Sequence, residues 1–121
     1  MTSPQTYLAE AEHLMIAPVR GTRGLWPRAS AWLLRLALES ALDDYWTGTA
    51  PAVAACRNRR SQNLMLTRYA GAAVARRVGM LWWSLSRAGH HHSYELALTA
   101  GELKRLHAEV REVVLLLRSG S

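Results

Sequence analysis

The chain has 121 residues, half of them apolar and a fifth charged, with a net charge of +6 and a single cysteine, Cys56. That size suits one domain spanning residues 1–121 with a real core. No apolar run approaches the roughly 18–20 residues of a membrane span, and one cysteine excludes an intrachain disulfide and a Cys-based zinc cluster.

The opening MTSPQTYLAEAEHL carries acids early and has no basic stretch ahead of an apolar one, so it does not read as a secretory leader. A cytoplasmic protein is expected, with Cys56 as a small semi-polar filler residue. Strand signals are missing: Val and Ile are scarce, alternation is not sustained and Phe is absent. The expectation is an all-α fold, a four- to five-helix up-and-down bundle.

In chain order, residues 4–17 space Ala, Leu and Glu helically and end before Pro18, and VRGTRG (19–24) reads as a loop. Residues 26–46 form a long helix with Pro27 in its first turn, where a missing N–H costs little. Its stripe runs through Ala29, Trp32, Leu33, Leu36, Ser40 and Ala41, and Leu34, Leu38 and Leu42 widen it, as suits a helix packed on two neighbours. TGTAP (47–51) breaks the chain. A third helix is expected from Pro51 to about Thr67, with a bend near Tyr69–Gly71.

The fourth helix, 70–88, buries Val74, Val78, Leu81 and Leu85 and carries Arg76, Met80, Trp83 and Arg87 on a second face, at spacings of 4, 3 and 4. Trp82 and Trp83, adjacent in sequence, cannot both enter one small core. The last helix, 99–117, opens on a capping box, Thr99 and Glu102, and buries Leu103, Leu106, Val110, Val113 and Leu117.

The charge is unevenly placed. Residues 45–94 hold Arg57, Arg59, Arg60, Arg68, Arg76, Arg77 and Arg87 and no acid, while the flanking segments are close to neutral. Such a concentrated positive field attracts phosphate polymers irrespective of sequence; surface arginines that only keep the chain soluble are the plainer account.

The acid-free segment ends at SRAGHHHSYEL (86–96). Three adjacent histidines do not converge on one ion, and helical metal pairs prefer i,i+4 spacing, so no metal or other cofactor is expected. His90 and His91 can cap the preceding helix as imidazolium ions. Arg87 and His92 make a second reading available. A guanidinium fork holds a phosphate, and an imidazole titrating near neutrality takes or gives a proton. Those are the services RNA cleavage by its own 2′-hydroxyl needs.

RAGHHHSY resembles the R-x4-H-x-Y motif of HEPN domains, small helical bundles whose ribonuclease members carry R-x(4–6)-H on a late helix and the turn after it. LLRLALESAL also resembles that family's second helix, and LTAGELKRLHAEV sits where its last helix falls. The resemblance spans most of residues 5–117, but only the eight-residue motif is specific. It implies a metal-independent endoribonuclease, a toxin or defence component, acting as a homodimer with Arg87 and His92 of each subunit in a shared RNA cleft. Arg57, Arg59, Arg60, Arg76 and Arg77 are the expected RNA contacts, and His90 and His91 support the site. Tyr94 is the position at which a cognate nucleotidyltransferase partner attaches adenylate in the toxin branch. One position departs: active members usually have a polar residue directly after the arginine, where this chain has Ala88. A non-catalytic helical module that binds a protein, nucleotide or nucleic acid is the alternative.

Overall fold

The computed structural model describes residues 2–16, 26–89 and 99–119. These form six helices: α1 (Pro4–Ile16), α2 (Trp26–Thr49), α3 (Pro51–Ala54), α4 (Arg59–Ala70), α5 (Ala72–Gly89) and α6 (Ala100–Ser119), with no strand among the described residues. None is long and apolar enough to cross a membrane.

Four long helices make the bundle, and α2 lies at its centre against α1, α5 and α6. Their directions alternate. His13 and Leu14 at the end of α1 meet Leu33 of α2, and Ser3 at the start of α1 lies by Tyr45. Arg77 of α5 pairs with Glu112 of α6, while Ser84 of α5 lies by Arg105 of α6. The α2 stripe is set differently from the one expected. Leu34, Ala37, Leu38, Ala41 and Tyr45 are buried on one side, and Ala31, Leu42 and Trp46 on another, while Trp32 is 52% exposed. A helix with three neighbours buries most of its circumference, so a single apolar stripe is a poor guide to which residues remain outside.

α2 also runs past Trp46 and through Gly48, stopping only before Pro51, whose ring forces Ala50 out of the helical region (φ −150°, ψ 83°). Burial of Tyr45 and Trp46 outweighs a helical glycine that costs about 1 kcal/mol. The same burial pushes the Tyr45 phenol above its ordinary pKa.

The expected helix over 51–67 is two helices. One turn, α3, is followed by a break at 55–58 and then by α4. Asn58 caps α4 by accepting from the Ser61 amide at 3.0 Å. Gln62, buried, donates to the carbonyl of Cys56 and to that of Val53, which also accepts from the Cys56 N–H, and so ties the start of α4 to the break. Cys56 is exposed in this break, not a filler of the core. Gly71, at φ +94°, separates α4 from α5, a backbone conformation that favours glycine.

α4 packs mainly against α5, and Arg59 ties its first turn to α2. Arg59 donates to Gln62 Oε1 at 2.9 Å and to Asp43 Oδ1 of α2 at 2.8 Å, and Glu39 lies 4.0 Å away. At the other end of α4, Tyr69 meets the buried Trp46 edge-on, with centroids 5.3 Å apart.

α6 begins with the expected capping box. Glu102 N–H donates to Thr99 Oγ1, and Thr99 N–H donates to Glu102 Oε1, each at 3.0 Å. The Thr99 backbone N–H, and after it the Thr99 hydroxyl, hold the Glu102 carboxyl below its usual pKa. Leu103, Val110, Val113, Val114 and Leu117 are buried, with Leu106 half-buried. His107 Nε2 lies 3.0 Å from the Leu8 carbonyl oxygen and ties α6 to α1.

Candidate nucleic-acid interface

The exposed face of α5 follows from its buried one. Val78, Leu81 and Leu85 point into the core, so residues about half a turn away must point out. Arg76, Met80, Trp83 and Arg87 are all exposed, as their spacing predicts. Met80 is 66% and Trp83 59% exposed, values unusual for side chains of their size. No acid pairs with Arg76 or Arg87 among the described residues.

The Arg87 guanidinium lies over the Trp83 ring, 4.7 Å from its centroid. Stacking uses the flat face of the guanidinium and leaves its in-plane N–H fork free for an anion. Arg87 therefore stands at the end of α5 beside Trp83, with no acid paired to it among the described residues.

The two adjacent tryptophans do diverge. Trp82 turns toward α2 and is half-buried against the core. Its ring and that of Trp32 each lie 5.7 Å from the Arg35 guanidinium, which also bonds Glu39 at 3.2 Å. Arg35 thus joins α2 to α5.

The other basic residues divide into two sets. Arg57, Arg60 and Arg68 are exposed on α4 or just before it. Arg59 and Arg77 are paired with acids: Arg59 with Asp43, and also with Gln62, and Arg77 at the surface with Glu112 at 3.1 Å. The Arg59 side chain is only 18% exposed. Sequence reasoning that counted seven arginines toward a nucleic-acid surface missed this. Asn58 at a cap position was the available signal that a helix starts here.

Beside the exposed α5 stripe runs a groove of about 300 Å³ between α5 and α6, where Arg77, Met80 and Ser84 of α5 face Arg105 and Glu109 of α6. A second cavity, of about 410 Å³, lies at the far end of the bundle between Ser3, Asp44, Tyr45 and Arg118. His90, His91, His92 and Tyr94 lie outside the described residues. No three His, Cys, Asp or Glu side chains gather in a metal-binding arrangement among the described residues. The chain matches no family model, no curated protein and no solved structure.

Proposed function

We propose that this protein is a metal-independent endoribonuclease of the HEPN type, acting in a toxin–antitoxin or defence setting. The observation that carries the reading is Arg87: exposed, unpaired by acid among the described residues, stacked on Trp83 and five residues ahead of His92. In this mechanism the Arg87 fork binds the scissile phosphate and stabilises charge that develops on its oxygens. An imidazole, His92, takes the proton from the 2′-hydroxyl, and the 2′-oxygen attacks the adjacent phosphorus. The bond to the 5′-oxygen breaks, and that oxygen receives a proton from an imidazolium. The products are a 2′,3′-cyclic phosphate and a 5′-hydroxyl. His90 and His91 support the site, Arg76 extends the phosphate track, and Arg57 and Arg60 add sequence-independent attraction. Tyr94, two residues past His92, is the site at which a cognate nucleotidyltransferase would silence the toxin with adenylate, placing bulk and negative charge beside Arg87.

Purified protein is expected to cleave single-stranded RNA in EDTA and to leave cyclic phosphate ends, with loss of cleavage in His92→Ala. Activity that chelation abolishes and added metal restores would count against the proposal.

The exposed indole of Trp32, away from the Trp83–Arg87 strip, supports a homodimer in which the two Arg87 side chains line one cleft. Light scattering at high micromolar concentration is expected to give twice the chain mass, and a monomer there would remove the shared cleft.

The non-catalytic reading has one observation of its own. Leu64, 76% exposed, and Met65 lie on α4 with Arg60 and Arg68, an apolar and basic surface that also suits a binding module.

A further inference from the structure

We infer that Trp83 and Arg87 together form a nucleotide subsite, in which the indole stacks an unpaired nucleobase and the guanidinium holds the adjoining phosphate. The inference rests on the RNA reading above and adds to it a requirement for the base.

Its geometry is that of a short track on one face of α5. Arg76 and Arg87 stand at the two ends, eleven residues apart, which is about 16 Å along a helix. Between them lie Met80 and Trp83, the most exposed large apolar side chains of α5. Cations at the ends and an apolar strip between them match a strand whose phosphates lie outside and whose bases are unstacked. A second copy laying its own α5 flat along this strip is disfavoured, since it would set Arg76 and Arg87 against the same two cations with no anion between them.

Trp83 has a second property that suits it to this role. Arg87 covers part of its surface at 4.7 Å, yet the residue remains 59% exposed, so ring surface is left for a base. A base stacked there brings its phosphate to the Arg87 fork without moving the arginine. In a duplex the bases are stacked on one another and cannot reach the ring, so the subsite takes unpaired nucleotides.

The test uses strands that cannot be cleaved, so binding is read whether or not the protein is a nuclease. A fluorescein-labelled 2′-O-methyl RNA 12-mer is compared with an abasic strand of the same length and charge, by anisotropy at fixed salt. Wild type is expected to bind the base-bearing strand about ten-fold more tightly or better, given the worth of one stacked base. Trp83→Leu is expected to remove that preference while keeping the affinity for the abasic strand, and Trp83→Phe to retain most of it. Arg87→Ala should weaken both strands. Trp83 is exposed, so these variants should melt with the wild type, which circular dichroism checks. Equal affinity for the two strands overturns the inference, as does a preference that survives in Trp83→Leu. A Trp83→Leu variant that changes oligomeric state also overturns it, by showing that the ring belongs to a subunit contact. Base preference without cleavage in EDTA sinks the nuclease reading alone, and cleavage without base preference sinks the subsite alone.

Discussion

Arg87→Ala is expected to lower RNA cleavage about 10²–10³-fold, the usual cost of removing one preorganised donor from a developing oxyanion. Stability should stay within about 0.5 kcal/mol of wild type, because the side chain is exposed and its described partner is the surface ring of Trp83. The split between the two measurements is what gives the experiment meaning. A structural arginine such as Arg59 would behave in the opposite way: it anchors α4 through Asp43 and Gln62, so its removal should reach cleavage only by loosening the fold. Arg87→Lys separates charge from shape. A lysine keeps the positive charge and loses both the fork and the flat face that stacks on indole, so it should recover only a small part of the lost rate. Cleavage that persists at the wild-type level in Arg87→Ala would remove the arginine from the mechanism. If RNA binding fell in parallel, Arg87 would remain a binding residue of a non-catalytic module.

Ala88 bears on the same experiment. The active members that the motif resembles place a polar residue after the arginine, and Ala88 cannot hydrogen-bond through its side chain. Trp83, one turn earlier, offers another means of fixing the guanidinium. Both residues of this pair were legible in the sequence, because a helix with Val78, Leu81 and Leu85 inside has no choice but to put Met80, Trp83 and Arg87 outside. α6 was legible for the same reason, with a cap and a stripe that agree. α2 was less so. With neighbours on three sides, its burial reflects tertiary packing more than local pattern, and Trp32 falls outside where an apolar count put it inside. The break at 55–58 was legible only on one side: Asn58 marks the start of α4, whereas the end of α3 is fixed by the Gln62 amide reaching back nine and six residues to Val53 and Cys56. Charge was the least legible feature. Seven arginines in an acid-free segment read as one surface, yet the acids that engage two of them come from elsewhere in the chain: Asp43 of α2 for Arg59 and Glu112 of α6 for Arg77. Segment composition counts charges, and only the fold pairs them.

Trp46→Ala is expected to cost about 3–5 kcal/mol, the range for deleting a fully buried large aromatic side chain, which for a domain of this size is a large share of its stability. Trp46 is fully buried, its centroid 5.1 Å from that of Tyr45 and 5.3 Å from that of Tyr69, with both rings edge-on. Its indole N–H has no hydrogen-bond partner among the described residues, so the loss is one of packing and not of a polar contact. The damage should be uneven. Tyr69 belongs to α4, and Trp46 and the Arg59–Asp43 pair hold the two ends of that helix to α2. Trp46 shares one core with Leu103, Val110 and Val113 of α6, but its ring meets that of Tyr69 on α4, so removing it should loosen α4 before it disturbs α6. Denaturant unfolding measures the total. Amide hydrogen exchange locates it, with protection lost first across Arg59–Ala70. In Arg59→Ala combined with Trp46→Ala, the second change should cost less than it does alone, since both act on the attachment of one helix. Strictly additive costs would mean that α4 is held elsewhere. Arg60 and Arg68 ride on α4, so the double variant should also lose a share of its salt-dependent RNA affinity while Arg87 and Trp83 remain in place on α5.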